Sequence, residues 1–437
     1  MAKLSRMSRS PCEAYRRVYW RKPRSIPDTV RNLSLFLALA ALASYGADWP
    51  RWRGPRADGV AVDADPPVSW SQTENVRWSV KLPGWGTSSP VTYGNKLFVT
   101  TESVENGKRS LLTICLDRHT GKELWRHDFG LGVEQRVHQK SNLAVNTPAV
   151  TEDAVYVAFG NSDVARYSHD GKLVWVTGYM EIFGDPKMAW GYGTSPVVLE
   201  DSILLPWDHH KGPCYLVGLD KKTGKILWKK ERPIGTSHAT PLVVAHHGQT
   251  DILVSAKHRL TAFNASSRAE LWQFGEGQGP FNGEIITSPL YGDGLVFFQL
   301  WRQTPIYAVR LVGEGKPPEP VWVSRRTGPQ EPSLLYYQGL LYAWMDNGVI
   351  TCLDGKTGEE VYRRRLGGPS NSSPIAAAGR IHLSDNDGVT YVIRAGREFE
   401  LLSTNNLGER ITASPAVSGN DLYYRTDSHV YCLRASQ

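Results

Sequence analysis

Histidine, cysteine and serine carry the recognisable reactive chemistry of this 437-residue chain, and each occurs in a recurring setting. His209-His210 lies in "PWDHHKGP" and His246-His247 in "VAHHGQT". A tetrahedral metal site needs ligands that converge, whereas adjacent strand residues point to opposite faces, so such pairs rarely chelate together. Asp208 could join the first pair, but no third ligand follows, and no metal site is assigned. Ser89, Ser195, Ser288, Ser373 and Ser414 each precede a proline in a repeated step. A catalytic nucleophile is singular, so recurrence at this position marks backbone geometry. His238, beside a TP step, has useful acid–base chemistry, yet no partner residue defines a reaction. Cys115 in "TICLD", Cys352 in "TCLD" and Cys432 in "YCLR" recur at one place in the repeat. That favours buried thiols packing as small hydrophobes over disulfides, although these three and Cys214 make an even number. No catalytic residue is assigned.

Two near-identical stretches explain what must position these groups: "LDRHTGKELW" (Leu116–Trp125) and "LDKKTGKILW" (Leu219–Trp228). The unit has two anchors. One is an SP or TP step followed by an alternating apolar run, at 90, 148, 196, 241, 289, 374 and 415, with Leu334 in place of proline in the sixth copy. The other is a turn followed by an aromatic: Trp125, Trp175, Trp228, Trp272, Trp322 and Tyr362. Within the turn, Asp117, Asp220 and Asp354 can accept N–H groups two residues on, and Gly121, Gly224 and Gly358 supply positive φ. Eight units of about 46 residues, each with short alternating strands, are the signature of a β-propeller. The eighth unit ends at "HVYCLRASQ" without its aromatic strand, and "NVRWSVKLPG" with Trp78 supplies it from the N-terminal side. The expected fold is all-β: a single eight-bladed propeller of four-stranded blades over 48–437, the N-terminal strand closing the last blade.

A propeller offers one obvious place for a ligand, the central channel. Residues just before each SP step should stand at its mouth: Trp85, Asn146, Trp190, Tyr192, His238, Asn282, Glu284, Asn371 and Arg410, with Asn142 and Glu409 nearby. Aromatics mixed with amides and a few charges suit a polar, ring-shaped or sugar-like ligand, or a peptide segment. Equally, Trp and Asn in this position could plug the channel and satisfy turn backbones. Two long connectors, Phe129–Asn146 and Val176–Gly193, share one rim, where they serve as a lid or a partner-binding surface.

The Asp-x-x-Thr-Gly-Lys-x-x-Trp repeat resembles the pyrroloquinoline-quinone (PQQ)-type repeat of quinoprotein alcohol dehydrogenases and of the non-enzymatic scaffold BamB. The opening "DWPRWRGPRADGVA", with "VRWSVKLPGWGTSSPV", is similar to exported planctomycete-type repeat proteins. Dehydrogenases of this kind carry a vicinal cysteine pair, a calcium or lanthanide held by Glu, Asn and Asp, and a catalytic Asp. No two cysteines here are adjacent, and no ion-binding triad matches residue by residue. The resemblance therefore favours a binding or scaffolding module without cofactor; a PQQ- and calcium-dependent alcohol or sugar dehydrogenase, or a degenerate relative, is the alternative.

Residues 1–47 read as an export signal. Nine Lys and Arg precede the apolar run "LSLFLALAALA", too short to cross a bilayer as a helix, and small residues follow. An uncleaved anchor is the alternative. The signal holds nine of the chain's 50 basic and two of its 43 acidic residues, leaving 41 of each. The remainder is formally neutral, which argues against nucleic acid as a partner. With 41% hydrophobic and 21% charged residues the composition is that of a globular domain. The expectation is a monomer outside the cytoplasm, in the periplasm or beyond, without a membrane span once the signal is cleaved. Its partner would be an envelope protein or peptide, or a small polar, sugar-like ligand. No cysteine follows the apolar run, so a lipid anchor is not expected.

Overall fold

The computed structural model describes residues 48–128, 137–138, 141–232, 236–275, 285–301 and 304–436. The export-signal reading falls on 1–47 and lies outside these residues. Eight sheets, each built on four short antiparallel strands that are consecutive in all blades but the last, form an eight-bladed propeller, as the repeat predicts. Blade 1 comprises Val91–Tyr93, Lys96–Glu105, Lys108–Asp117 and Glu123–Asp128, and the later blades follow the same order from inner to outer strand. The last blade takes three strands from Ala416–Leu433 and its outer strand, Val76–Lys81, from the other end of the chain. Trp78 faces Cys432 and Val80 faces Val430 across that seam, so the ring closes by hydrogen bonding and leaves no open radial gap.

The repeated turn does three jobs. Asp220 Oδ1 accepts the N–H of Lys222 (3.1 Å) and Thr223 (2.8 Å) and the Thr223 hydroxyl (2.8 Å), and Asp117 and Asp354 repeat the pattern. The glycine, at φ +70° in Gly224, sits in the left-handed region, just before the bulge between Ile226 and Trp228 on the fourth strand. It also lies beneath the tryptophan of the preceding blade: a Cβ on Gly224 would stand 2.6 Å from the Trp175 ring. The Trp175 indole N–H donates to Lys221 O at 3.0 Å, and Trp78, Trp125 and Trp322 make the same 3.0 Å bond to Arg118, His169 and Gly355. In these four cases the turn is the socket for the previous blade's tryptophan, whereas the Trp228 indole N–H donates to Ser202 Oγ of its own blade at 3.2 Å.

A second ring runs around the channel. The backbone N–H of Ser89 donates to Thr147 Oγ1, Thr147 to Ser195 Oγ, and so on through Thr240, Ser288, Ser333 and Ser373 to Ser414, at 2.9–3.2 Å per link. The serine of the SP step is therefore a blade-to-blade hydrogen-bond acceptor. At the seam between the last blade and the first, Ser89 Oγ is buried without a partner. There the buried Arg425 guanidinium crosses instead, donating to Ser88 Oγ at 2.6 Å and Ser88 O at 3.2 Å.

Among the described residues Cys115, Cys214, Cys352 and Cys432 are buried thiols. Burial pushes the Cys115 and Cys352 thiols up to about 12, which keeps them protonated and unreactive.

Candidate functional site: a blind channel

The channel is closed at one end by the segment that precedes the first repeat. Trp49 N–H donates to Thr92 Oγ1 while Trp49 O accepts Thr92 N–H, both at 2.9 Å, on the inner strand of blade 1. Pro50 O accepts Val150 N–H (2.8 Å) on blade 2, and Gly59 O accepts Ala376 N–H (2.9 Å) on blade 7. Between these ties Ala57 packs against the apolar cluster of blades 4 and 5, and Val60–Ala61 then pair in parallel with Ala376–Ala377. Thr92, Val150 and Ala376 all stand three residues past the hydroxyl ring. The strap therefore crosses the channel just below that ring, and Trp52 faces up into the space it encloses.

Above this floor lies a cavity of about 750 Å³ walled by all eight blades. The strands alternate, so residues at even spacing from the hydroxyl ring face inward. The ring itself forms the lowest wall, through Thr147, Ser195, Thr240, Ser288, Ser333, Ser373 and Ser414. Two positions earlier come Thr87, Val145, Gly193, His238, Ile286, Glu331, Asn371 and Thr412. Higher still, Trp85, Trp190 and Arg410 form the mouth, where Trp190 is 41% exposed.

Of the residues expected at the mouth, the structure brings Trp85, Trp190, His238, Asn371 and Arg410 into one cavity. Asn146 and Tyr192 stand behind the wall, at odd spacing from the ring. Asn146 is fully buried, its amide donating to Tyr192 O (2.9 Å) and Thr194 O (2.6 Å), so it satisfies backbone. Tyr192 is buried against Trp207, with ring centroids 6.2 Å apart, in the core between blades 2 and 3. Asn282 and Glu284 lie outside the described residues. Parity was the available signal: it separates His238 and Asn371 from Asn146 and Tyr192 and points to Glu331. Trp52 carried no local signal, since its place depends on the strap. Of the connector residues, Met188 is buried in that same core and Phe183 packs against it, whereas Ile182 is exposed.

The polar groups of the wall are held in place. Arg410 pairs with Asp427 (2.9 Å) and lies 5.5 Å from the Trp85 ring centroid. Trp190 stacks on His138 with centroids 4.0 Å apart, and Ser141 Oγ donates to Trp190 O at 2.9 Å. His238 leans over Gly193, where a Cβ would meet its Nδ1 at 2.7 Å. Asp346 accepts the N–H groups of Gln330 (2.6 Å) and Glu331 (2.9 Å). Burial raises its pKa, and those two bonds oppose the rise. Asn371 and Asn386 bond each other side chain to side chain, and Asn371 N–H donates to Asn386 Oδ1 at 3.1 Å.

The Ser–His–carboxylate contact Ser428–His429–Glu409 lies outside the cavity lining. Both the Ser428 hydroxyl (2.9 Å) and the Glu409 carboxylate (2.8 Å) sit on the same His429 nitrogen, Nδ1. A triad needs them on opposite nitrogens. Among the described residues no group of three or more His, Cys, Asp or Glu could hold a metal ion. Among the same residues no helix is long and apolar enough to cross a membrane.

A family model described as outer membrane protein assembly factor BamB matches residues 58–206, 209–304 and 299–437. The chain belongs to that family. Its curated relatives within and around the BamB group are distant. The chain is 22% identical over 326 residues to outer membrane protein assembly factor BamB of Yersinia pestis, covering 72% of this chain and 67% of that protein. It is 27% identical over 165 residues to polyvinylalcohol dehydrogenase of a Pseudomonas species, covering 35% of this chain and 24% of that enzyme. It spans about half (51%) of the Legionella pneumophila BamB that it also matches. Among solved structures, BamB of Moraxella catarrhalis superposes with a TM-score of 0.60 at 14% identity, over 83% of this chain and 98% of that one. A europium-containing methanol dehydrogenase superposes with a TM-score of 0.67 at 10% identity, over 91% and 100%. These superpositions show the propeller fold. The strap residues 48–57, which build the cavity floor, precede the part matched by the BamB family model.

Proposed function

We propose that this chain is an exported binding or scaffolding module of the cell envelope, and that the blind channel is its recognition site. The observation that carries the reading is the closed floor: a channel sealed by its own N-terminal strap and open at an aromatic rim is a receptor for something that enters from one face. A cavity of about 750 Å³ with aromatic rings and a few fixed polar groups has the size and lining of a ligand site. BamB relatives named as assembly factors support a non-catalytic role in the envelope, as does the leader expected at 1–47.

Dehydrogenase relatives bring a quinone cofactor into question, and the donor set of the cavity fits one poorly. PQQ is a tricarboxylic quinone. Among the described wall residues the cations are Arg410, already paired with Asp427, and the titratable His238, while Glu331 and Asp346 oppose negative charge. Cys115, Cys214, Cys352 and Cys432 are buried, and none of them lines the cavity. No reaction step is derived through the quinone.

The test uses the mature chain and a variant with the cavity filled, Thr412→Trp, as bait in envelope extract. The expected result is a stoichiometric partner or ligand retained by the wild type and lost by the variant. Dye-linked oxidation of alcohols or sugars after loading with PQQ and calcium would instead establish the dehydrogenase reading and remove this one.

A further inference from the structure

We infer that the cavity receives, end-on, the terminal unit of a neutral polyhydroxylated chain, an oligosaccharide terminus being the ligand class. The inference rests on the reading of the cavity as a recognition site and adds the chemistry of its occupant.

Three layers of the wall point to this class. At the base, each of seven ring hydroxyls has its oxygen engaged by the N–H of the preceding blade, at 2.9–3.2 Å. None of these hydroxyls donates to a described residue, so each proton is available to the cavity. Trp52 lies at the floor of the same space. The base therefore offers donors, and the complementary group is an array of oxygen acceptors such as sugar hydroxyl and ring oxygens. At mid-height Asn371, Asn386 and Thr412 bring acceptors as well as donors, matching hydroxyls that both give and receive. At the mouth, Trp190 is 41% exposed and braced from behind by His138, and Trp85 offers a second ring. Flat indole faces on a polar wall bind ligands with one apolar face and a polar edge, as a pyranose has.

Charge argues for a neutral ligand. The Arg410 guanidinium is neutralised by Asp427, and Asp346 is committed to two backbone N–H groups. A multiply charged anion would meet the Asp346 carboxylate without an unpaired arginine among the described wall residues to offset it. The closed floor then sets the mode. A chain cannot thread past the strap, so only an end can reach the ring of hydroxyls.

The experiment titrates the mature protein with linear malto-, cello- and chito-oligosaccharides, following tryptophan emission and heat. α-Cyclodextrin, a glucan without ends, serves as the control for mode. The expected result is saturable binding of at least one linear series, abolished in Thr412→Trp, weakened about tenfold or more in Trp190→Ala, and absent for the cyclic glucan. Circular dichroism of both variants confirms folding. Binding of glucuronate or sulfate in preference to every neutral sugar would overturn the inference, as would sugar binding indifferent to Thr412→Trp. If no neutral sugar binds while Thr412→Trp still abolishes capture of an envelope partner, the chain-end inference falls and the binding-module reading stands. If filling the cavity changes neither, both fall.

Discussion

His382 shows how much the N-terminal segment beyond the strap asks of single residues. It is buried on the second strand of blade 7, stacked on Trp70 with centroids 6.0 Å apart, and both its ring nitrogens lack partners. Burial, aided by the Arg380 charge, pushes its pKa down to about 3. In the unfolded chain the same ring titrates near ~6.5. Because the folded value is depressed, the native state is fully favoured above pH ~6.5 and loses that advantage as pH falls from there towards 3. Replacing His382 with phenylalanine removes the titration. Unfolding free energies from denaturant titrations at pH 7.5 and 4.5 should therefore fall further apart in the wild type than in His382→Phe, by about 2 to 3 kcal/mol. Equal pH dependence in the two proteins would show that His382 is not held neutral. None of this was legible locally, because the sequence "RIHLS" reads as one more alternating strand; only Trp70, more than three hundred residues away, makes the histidine a buried one.

At the scale of the element, the recurrent turn was legible in nearly all its parts. Asp, Thr and Gly at fixed offsets dictate a bulged hairpin, because their hydrogen bonds and positive φ are satisfied within five residues. What that spacing could not show is the second demand on glycine, the tryptophan of the preceding blade. The two demands are separable. Gly339 has a similar φ of +78° and open space within 4 Å of where a methyl would stand, whereas at Gly224 the Trp175 ring would be 2.6 Å away. Gly339→Ala should cost about 1 to 2 kcal/mol from the backbone alone. Gly224→Ala adds a steric clash and should cost about 2 to 4 kcal/mol in all. Urea unfolding of the two variants checks the ranking; equal losses would mean that the ring yields and the socket is soft.

On the scale of the whole molecule, closure is the event that couples the blades. His429–Leu433 pairs with Asp421–Arg425 on one side and Val76–Lys81 on the other. Truncation after Ser428 therefore strands the closing segment and leaves the last blade with two strands. We expect the single cooperative thermal transition to broaden or split, with early proteolytic cleavage between 70 and 85. A truncated chain that melts as sharply as the wild type would show that the blades hold together without closure. Fold, blade count and the origin of the closing strand were all present in the sequence, because a propeller repeats one local solution and a period is visible without knowing any distance. The channel was a different matter. Whether Trp85 and Arg410 line a pore or a pocket, and whether Asn146 faces ligand or backbone, depends on strand parity and on a strap whose contacts, Trp49 to Thr92 and Gly59 to Ala376, join residues far apart in the chain. Local hydrogen bonding fixed the blades; only their closure into a ring, with the strap laid across it, made a cavity with a floor.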